Sequence, residues 1–273
     1  MKTSDILFLG ILQGLTEFIP ISSSGHLVIF QSFLGLHNVP ILFDLILHLG
    51  TGTAVIIVYR GEIGKILHDI FTVAFHGKKP EEVSEKHSLK LFFYLVISTG
   101  VTGILGLLFK DMLEEFFYRP LYVPIFLATT GVILLFTRFT KNRSREIAEL
   151  HADYPIIIGA VQAFSMLPGI SRSGATISAS LFLGAARGFS STYSFLLAIP
   201  SIFGASLVSF MMSSSGRGNQ LDVHAALIGY FISLLSGYAA LKILLRLIKN
   251  GKLYVFSFYC FAFAITAFVL LRY

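Results

Sequence analysis

Long apolar runs separated by short polar segments make up most of this chain, and their lengths predict two kinds of element. Six runs, at 41–59, 91–109, 121–138, 190–212, 223–247 and 253–271, approach or exceed the length of a bilayer-crossing helix, about 20 residues. Two other stretches are broken. The first, 5–36, is capped by Thr3-Ser4-Asp5, follows a helical pattern up to Phe18, stops at Pro20 and resumes after Ser22-Ser23-Ser24. The second, 154–186, breaks in the same way at Pro168-Gly169-Ile170-Ser171-Arg172-Ser173-Gly174. Each reads as a re-entrant helical hairpin, which membrane depth tolerates only where protein or a wet cavity covers the interrupted backbone. The expected fold is an all-α polytopic membrane protein with six transmembrane helices and two re-entrant hairpins.

The broken stretches are copies of one another. A shift of 149 positions lays Gly10 on Gly159, Gln13 on Gln162, Ile21 on Ile170, Ser22 on Ser171, Ser24 on Ser173, Gly25 on Gly174, and Phe33-Leu34-Gly35 on Phe182-Leu183-Gly184. Unrelated apolar segments of this length would share roughly two or three identities, so the match predicts an internal duplication. Residues 1–140 form the first repeat and 141–273 the second, within one integral membrane domain. Each repeat holds one hairpin and three spans. Three is odd, so the halves insert in opposite directions and the repeat is of inverted topology, its two corners meeting near mid-membrane.

Composition agrees: of 273 residues, 55% are hydrophobic and 13% charged, which excludes an ordinary soluble domain. The net charge of +6 lies in loops between apolar runs, a pattern of membrane orientation and not of a nucleic-acid surface. Alternating the loops puts 14 Lys and Arg on one side, six of them in the charged and mostly solvated connection from Arg60 to Lys90, against five on the other. Positive charge stays inside, so both termini and the opening of the first hairpin are expected on the outer face. The single cysteine, Cys260, excludes an intramolecular disulfide, and no cleavable signal peptide is visible.

The chemistry concentrates at the two corners. Within the shared Ile-Ser-x-Ser-Gly, only Ser23 and Arg172 differ, so a hydroxyl faces a guanidinium, an arrangement suited to a phosphate. Ser22 and Ser171 either cap short helices or join Ser24, Gly25, Ser173 and Gly174 in binding an anion at the helix N-termini. Buried in low dielectric, Glu17 must be protonated, paired with Arg172 or coordinated to a cation, and Gln13, one turn earlier, adds a neutral oxygen for a hard divalent ion. His26 is placed to turn back toward the corner as an acid, base or phosphate donor; His48 reads as a packing or supporting group and not as a catalyst. No Cys-x5-Arg loop, Asp-rich metal run or phosphate-binding glycine loop is present.

Gln13 to His26 and Pro168 to Thr176 closely resemble the two signature motifs of the undecaprenyl-diphosphate phosphatases, the bacitracin-resistance family, and Phe43-Asp44 with Leu47-His48-Leu49-Gly50-Thr51 is also similar to it. The resemblance covers essentially the whole chain. It implies a hydrolase of the bacterial inner membrane that converts undecaprenyl diphosphate to undecaprenyl phosphate for peptidoglycan synthesis, with a divalent cation, Mg or Ca. It further implies Ser23 as nucleophile, Glu17 as metal or base residue, His26 as acid or base, and Arg172 as diphosphate clamp. The family commonly has Glu at the position of Gln13, which shifts the work of metal binding onto Glu17. The partners implied are the polyprenyl diphosphate and membrane lipids, with no nucleic acid; a homodimer and contact with cell-wall synthesis enzymes stay open. So does a rival class, since inverted repeats with broken helices also build transporters, here a flippase of polyprenyl phosphate.

Overall fold

The structure is a computed structural model that describes residues 1–36, 39–76, 86–117, 119–140, 145–213, 222–249 and 252–271. Lys78, Lys79, Lys141, Arg143, Arg217 and Arg272, among the Lys and Arg counted above, lie outside the described residues. The described α-helices are, in order, α1 Thr3–Phe18, α2 Ser23–Phe33, α3 Ile41–Val58, α4 Arg60–His76, α5 Lys86–Leu108, α6 Lys110–Phe117, α7 Val123–Phe136, α8 Tyr154–Phe164, α9 Arg172–Phe182, α10 Arg187–Ser213, α11 Val223–Lys249 and α12 Val255–Leu270.

Among the described residues, four helical stretches are long and apolar enough to cross a membrane: His87–Leu108, Pro120–Phe139, Arg187–Met211 and Val223–Ile248. Leu42–Val58 and Arg60–Phe75 together make a fifth, bent by 74° at the break. Their outward faces are apolar, as Phe93, Val96, Ile104, Leu107 and Leu108 of α5 and Leu227, Phe231, Leu235 and Ile243 of α11 illustrate. Such large exposed side chains in water would aggregate; in hydrocarbon they are matched to their solvent. The protein is thus a multi-pass helical membrane protein. By contrast α2, α8 and α9 have 11 residues each and α1 has 16, too few to cross.

One reading is corrected. The first part of the connection from Arg60 to Lys90 is not an irregular loop: it is the amphipathic helix α4. Ile63, Ile66 and Ile70 recur at helical spacing and pack on the central core with Phe18, Val55, Tyr59 and Phe195, while Leu67, Phe71 and Phe75 stay exposed on the other side. The charges between them disguised the period.

Close helix packing at the centre depends on small residues. Helix α1 lies along α11, and α8 along α5. At Gly14 an added Cβ would collide with Ser236 Oγ and come within 2.6 Å of Gly237 N; at Gly10 it would meet Ile232. Gly159, the counterpart of Gly10, does the same job against Ser98 O and Val101 of α5. Without a hydrophobic drive between helices in lipid, such close backbone approach supplies the dispersion contact that holds them.

We expect Gly14→Ala to overpack this seam at a cost of about 1–3 kcal/mol. Gly64→Ala on α4, where a Cβ meets nothing within 4 Å, should be neutral or slightly stabilising. Thermal unfolding of the two variants in detergent checks the contrast.

Candidate functional site

Two chain reversals meet in the middle of this bundle. Helix α1 ends at Phe18, and Ile19 to Ser22 turn the chain into α2; α8 ends at Phe164, and Ser165 to Ser171 turn it into α9. The caps are equivalent: Ser22 Oγ accepts from the Gly25 backbone N–H at 3.2 Å, and Ser171 Oγ accepts from that of Gly174 at 3.1 Å. Both serines therefore take the capping role. Ser22 reaches it with φ of 69°, a left-handed conformation that costs a non-glycine residue of order 1–3 kcal/mol and is stored here beside the reactive groups.

The reversals touch through their smallest residues. A Cβ on Gly25 would come within 3.0 Å of Gly169 Cα, and one on Gly174 within 3.2 Å of Pro20 Cβ. Ser173 Oγ donates to Phe18 O at 3.0 Å, and Thr130 Oγ1 donates to Gly169 O while accepting from Ser171 N. These bonds tie the second corner to the first and to α7.

Glu17 lies at the junction, 8% exposed. Its Oε1 accepts from the Arg172 guanidinium at 2.5 Å, and its Oε2 accepts from Ser23 Oγ at 2.6 Å and from Gln13 Nε2 at 2.9 Å. Arg172 reaches across from α9 and also donates to Ser194 O of α10 at 3.3 Å. Thr176, one turn along α9, donates to Arg172 O and accepts from Ser194 Oγ at 2.6 Å, so the base of the arginine and its acceptor are fixed together. The structure thus joins Gln13, Glu17, Ser23 and Arg172. A paired and hydrogen-bonded carboxylate is how ionised groups survive at this depth.

His26 is placed elsewhere. Its ring is 1% exposed, with Nδ1 2.7 Å from Ser22 O, Nε2 2.8 Å from Tyr259 OH, and its face stacked on Phe263 at 4.0 Å between centroids. Both nitrogens are occupied, so the acid–base role expected for His26 has no counterpart in this geometry; the imidazole braces the strained carbonyl of Ser22 against α12. His48 is the reverse case. From α3 its Nε2 comes 3.6 Å from Glu17 Oε2, facing the site that the sequence reading left it out of. Ser194 and Thr176 were likewise not singled out as site residues; the one signal was a hydroxyl in the apolar run of α10 and another a turn after Arg172.

A resident divalent cation on Glu17 and Gln13 does not fit this donor set. Both carboxylate oxygens already accept from the protein, and Gln13 points its amide nitrogen, not its carbonyl, at the carboxylate. Gln13 Oε1 is a buried oxygen without a partner, but one neutral donor is far from the six or more oxygens that Mg or Ca takes. Among the described residues no three His, Cys, Asp or Glu side chains are grouped to hold a metal.

A multi-pass helical bundle whose interior carries an arginine, a carboxylate and a serine hydroxyl on two broken elements defines a membrane protein with a buried polar site. The chain belongs to the bacitracin resistance protein BacA family, whose model matches residues 6–266. It is 41% identical over 256 residues, 93% of each chain, to an undecaprenyl-diphosphatase of Desulfosudis oleivorans. It is also 39% identical over 272 residues to that of Halothermothrix orenii, covering 99% of this chain and 98% of the relative, and 37% identical to that of Methanobrevibacter smithii, covering 98% of both.

Removing one partner of the central ion pair leaves the other charge buried. Glu17→Ala should destabilise the protein by roughly 3–5 kcal/mol, with the double variant Glu17→Ala/Arg172→Ala recovering part of the loss. Unfolding midpoints of the single and double variants in one detergent provide the check.

Proposed function

We propose that this protein is an undecaprenyl-diphosphatase of the bacterial plasma membrane, hydrolysing undecaprenyl diphosphate to undecaprenyl phosphate and inorganic phosphate and so recycling the lipid carrier for peptidoglycan synthesis. The observation that carries this is the convergence of Ser23 and Arg172 on one carboxylate, in a chain whose relatives bear that name over nearly their full length.

In this reading Arg172 exchanges Glu17 for the terminal phosphate, which offers more negative oxygens in a bidentate geometry. The first backbone N–H groups of α2 and α9 have no partner within their helices, and they face developing negative charge with the positive ends of two dipoles. Ser23 Oγ attacks the terminal phosphorus while its proton passes to Glu17 Oε2, 2.6 Å away. The bond from phosphorus to the bridging oxygen breaks, its electron pair leaving with undecaprenyl phosphate, and water then cleaves the phosphoserine. A divalent cation, Mg or Ca, enters as part of the substrate, bound to the diphosphate oxygens.

We also read the chain as an inverted repeat, with hairpins 5–36 and 154–186. The contacts between corners are reciprocal: exchanging each residue for its counterpart at offset 149 turns Gly25 against Gly169 into Gly174 against Pro20, the mark of a twofold axis. Helices α2 and α9 span equivalent residues, carry the same serine caps, and are followed by Gly35 and Gly184, both at positive φ. Positive charge then puts α4 inside and α6 outside.

Pure protein in detergent, where no two sides exist, should release phosphate from a polyprenyl diphosphate. Ser23→Ala should abolish release, and Arg172→Ala should lower kcat by about 10²–10³, the loss typical of one oxyanion donor. A wild-type protein that releases nothing sinks the proposal. In a Cys260→Ala background on intact cells, an impermeant maleimide should label Asp111→Cys and spare Lys65→Cys; the opposite pattern reverses the orientation.

A further inference from the structure

The mechanism above leaves His48 unused, although it is the ring that faces the reacting carboxylate. On α3 its Nδ1 lies 2.8 Å from Asp44 O, one turn earlier. A carbonyl only accepts, so Nδ1 carries the proton, and in the neutral ring Nε2 is a bare lone pair. That lone pair points at Glu17 Oε2 across 3.6 Å. Two acceptors this close repel unless a proton lies between them, and the same Oε2 accepts from Ser23 Oγ. A proton donated by Ser23 to Oε2 is thus delivered to the doorstep of a base.

The surroundings favour that destination. With Arg172 moved onto the phosphate, Glu17 loses its cationic partner, and a proton passed on to Nε2 leaves the buried carboxylate paired with an imidazolium instead. The helix that carries His48 adds Asp44, whose carboxylate accepts from Gln31 Nε2 at 2.8 Å, a second anion one turn from the ring. The other charged groups facing this point are Glu17 on α1 and, behind it, Arg172 on α9. Helix α11 presents Ser233 and the Tyr230 backbone to Gly50, with the Tyr230 hydroxyl on Thr53, and α10 presents Ile202 and Phe203 to Gly52, which carry no charge.

We propose that His48 is a positioning residue for this reaction: it orients Glu17 and receives, through Oε2, the proton that leaves Ser23. The inference rests on the diphosphatase reading. The balance is simple: the Ser23 O–H bond breaks as the O–P bond forms, the proton passes over Oε2 to Nε2, and the imidazolium returns it through the same carboxylate when water cleaves the phosphoserine.

The test uses His48→Gln in detergent, with phosphate release from a polyprenyl diphosphate followed across pH. Relay of the nucleophile's proton is general-base work, so kcat should fall by about a hundredfold with KM within about twofold. The pH profile of kcat should also change shape in His48→Gln, because the variant has no ring to take the proton on from Oε2. A kcat within about threefold of wild type with a superimposable profile overturns the proposal. His48→Ala covers the case in which His48→Gln does not elute as wild type does: added imidazole restoring turnover supports the relay, and no rescue in a properly eluting protein refutes it. Independently of turnover, the His48 ring signals in histidine ¹⁵N NMR should move on Glu17→Gln at constant pH. Unmoved signals overturn the contact even if the wild type proves to be no diphosphatase.

Discussion

A charge inside a bilayer must be neutralised where it sits, and this bundle is built around the place where that happens. Glu17 and Arg172 come from short helices in opposite halves of the chain, and neither could remain ionised without the other. Their pairing requires two interrupted backbones to cross in the interior. That crossing requires residues with little or no side chain at Gly25, Gly169 and Gly174, and it requires every freed polar group to find a partner.

The hydroxyls distributed through the interior meet the last requirement. Thr16, Thr53, Thr99 and Ser201 each donate to the carbonyl four residues back in their own helices, which hides the O–H without a cost in unpaired groups. Others work between helices. Ser98 joins Pro155 O and Tyr193 OH, Tyr193 donates to Tyr94 O, and Tyr154 meets Ser180, so α5, α8, α9 and α10 are stitched by one polar network. Such a network gives the second corner a single geometry, which an arginine that must meet a specific carboxylate needs. Among the described residues Gln13 Oε1 and its counterpart Gln162 Oε1 are buried side-chain oxygens without a partner, as are Ser178 Oγ and Ser206 Oγ.

Much of this was legible in the residues. Apolar run length found helices at each expected span, though among the described residues four, with a bent fifth, are long and apolar enough to cross a membrane, and α12, within the run 253–271, is not. Glu17 beside Arg172 followed from the cost of a lone buried charge. What could not be read is direction. His26 and His48 look equally polar in an apolar setting, yet one turns to Tyr259 and the other to Glu17, because that choice is set by which helix packs behind each ring. Helix α4 escaped notice for a different reason: its isoleucines keep period, but Lys65, His68 and Asp69 break up the average on which an apolar run is recognised.

The leading short helix of each broken stretch leans on a long helix from the opposite half, α1 on α11 and α8 on α5. During synthesis the first segment to emerge meets α2 and α3 early but reaches its principal neighbour only more than two hundred residues later. The central seam is therefore closed by one of the last helices to be made.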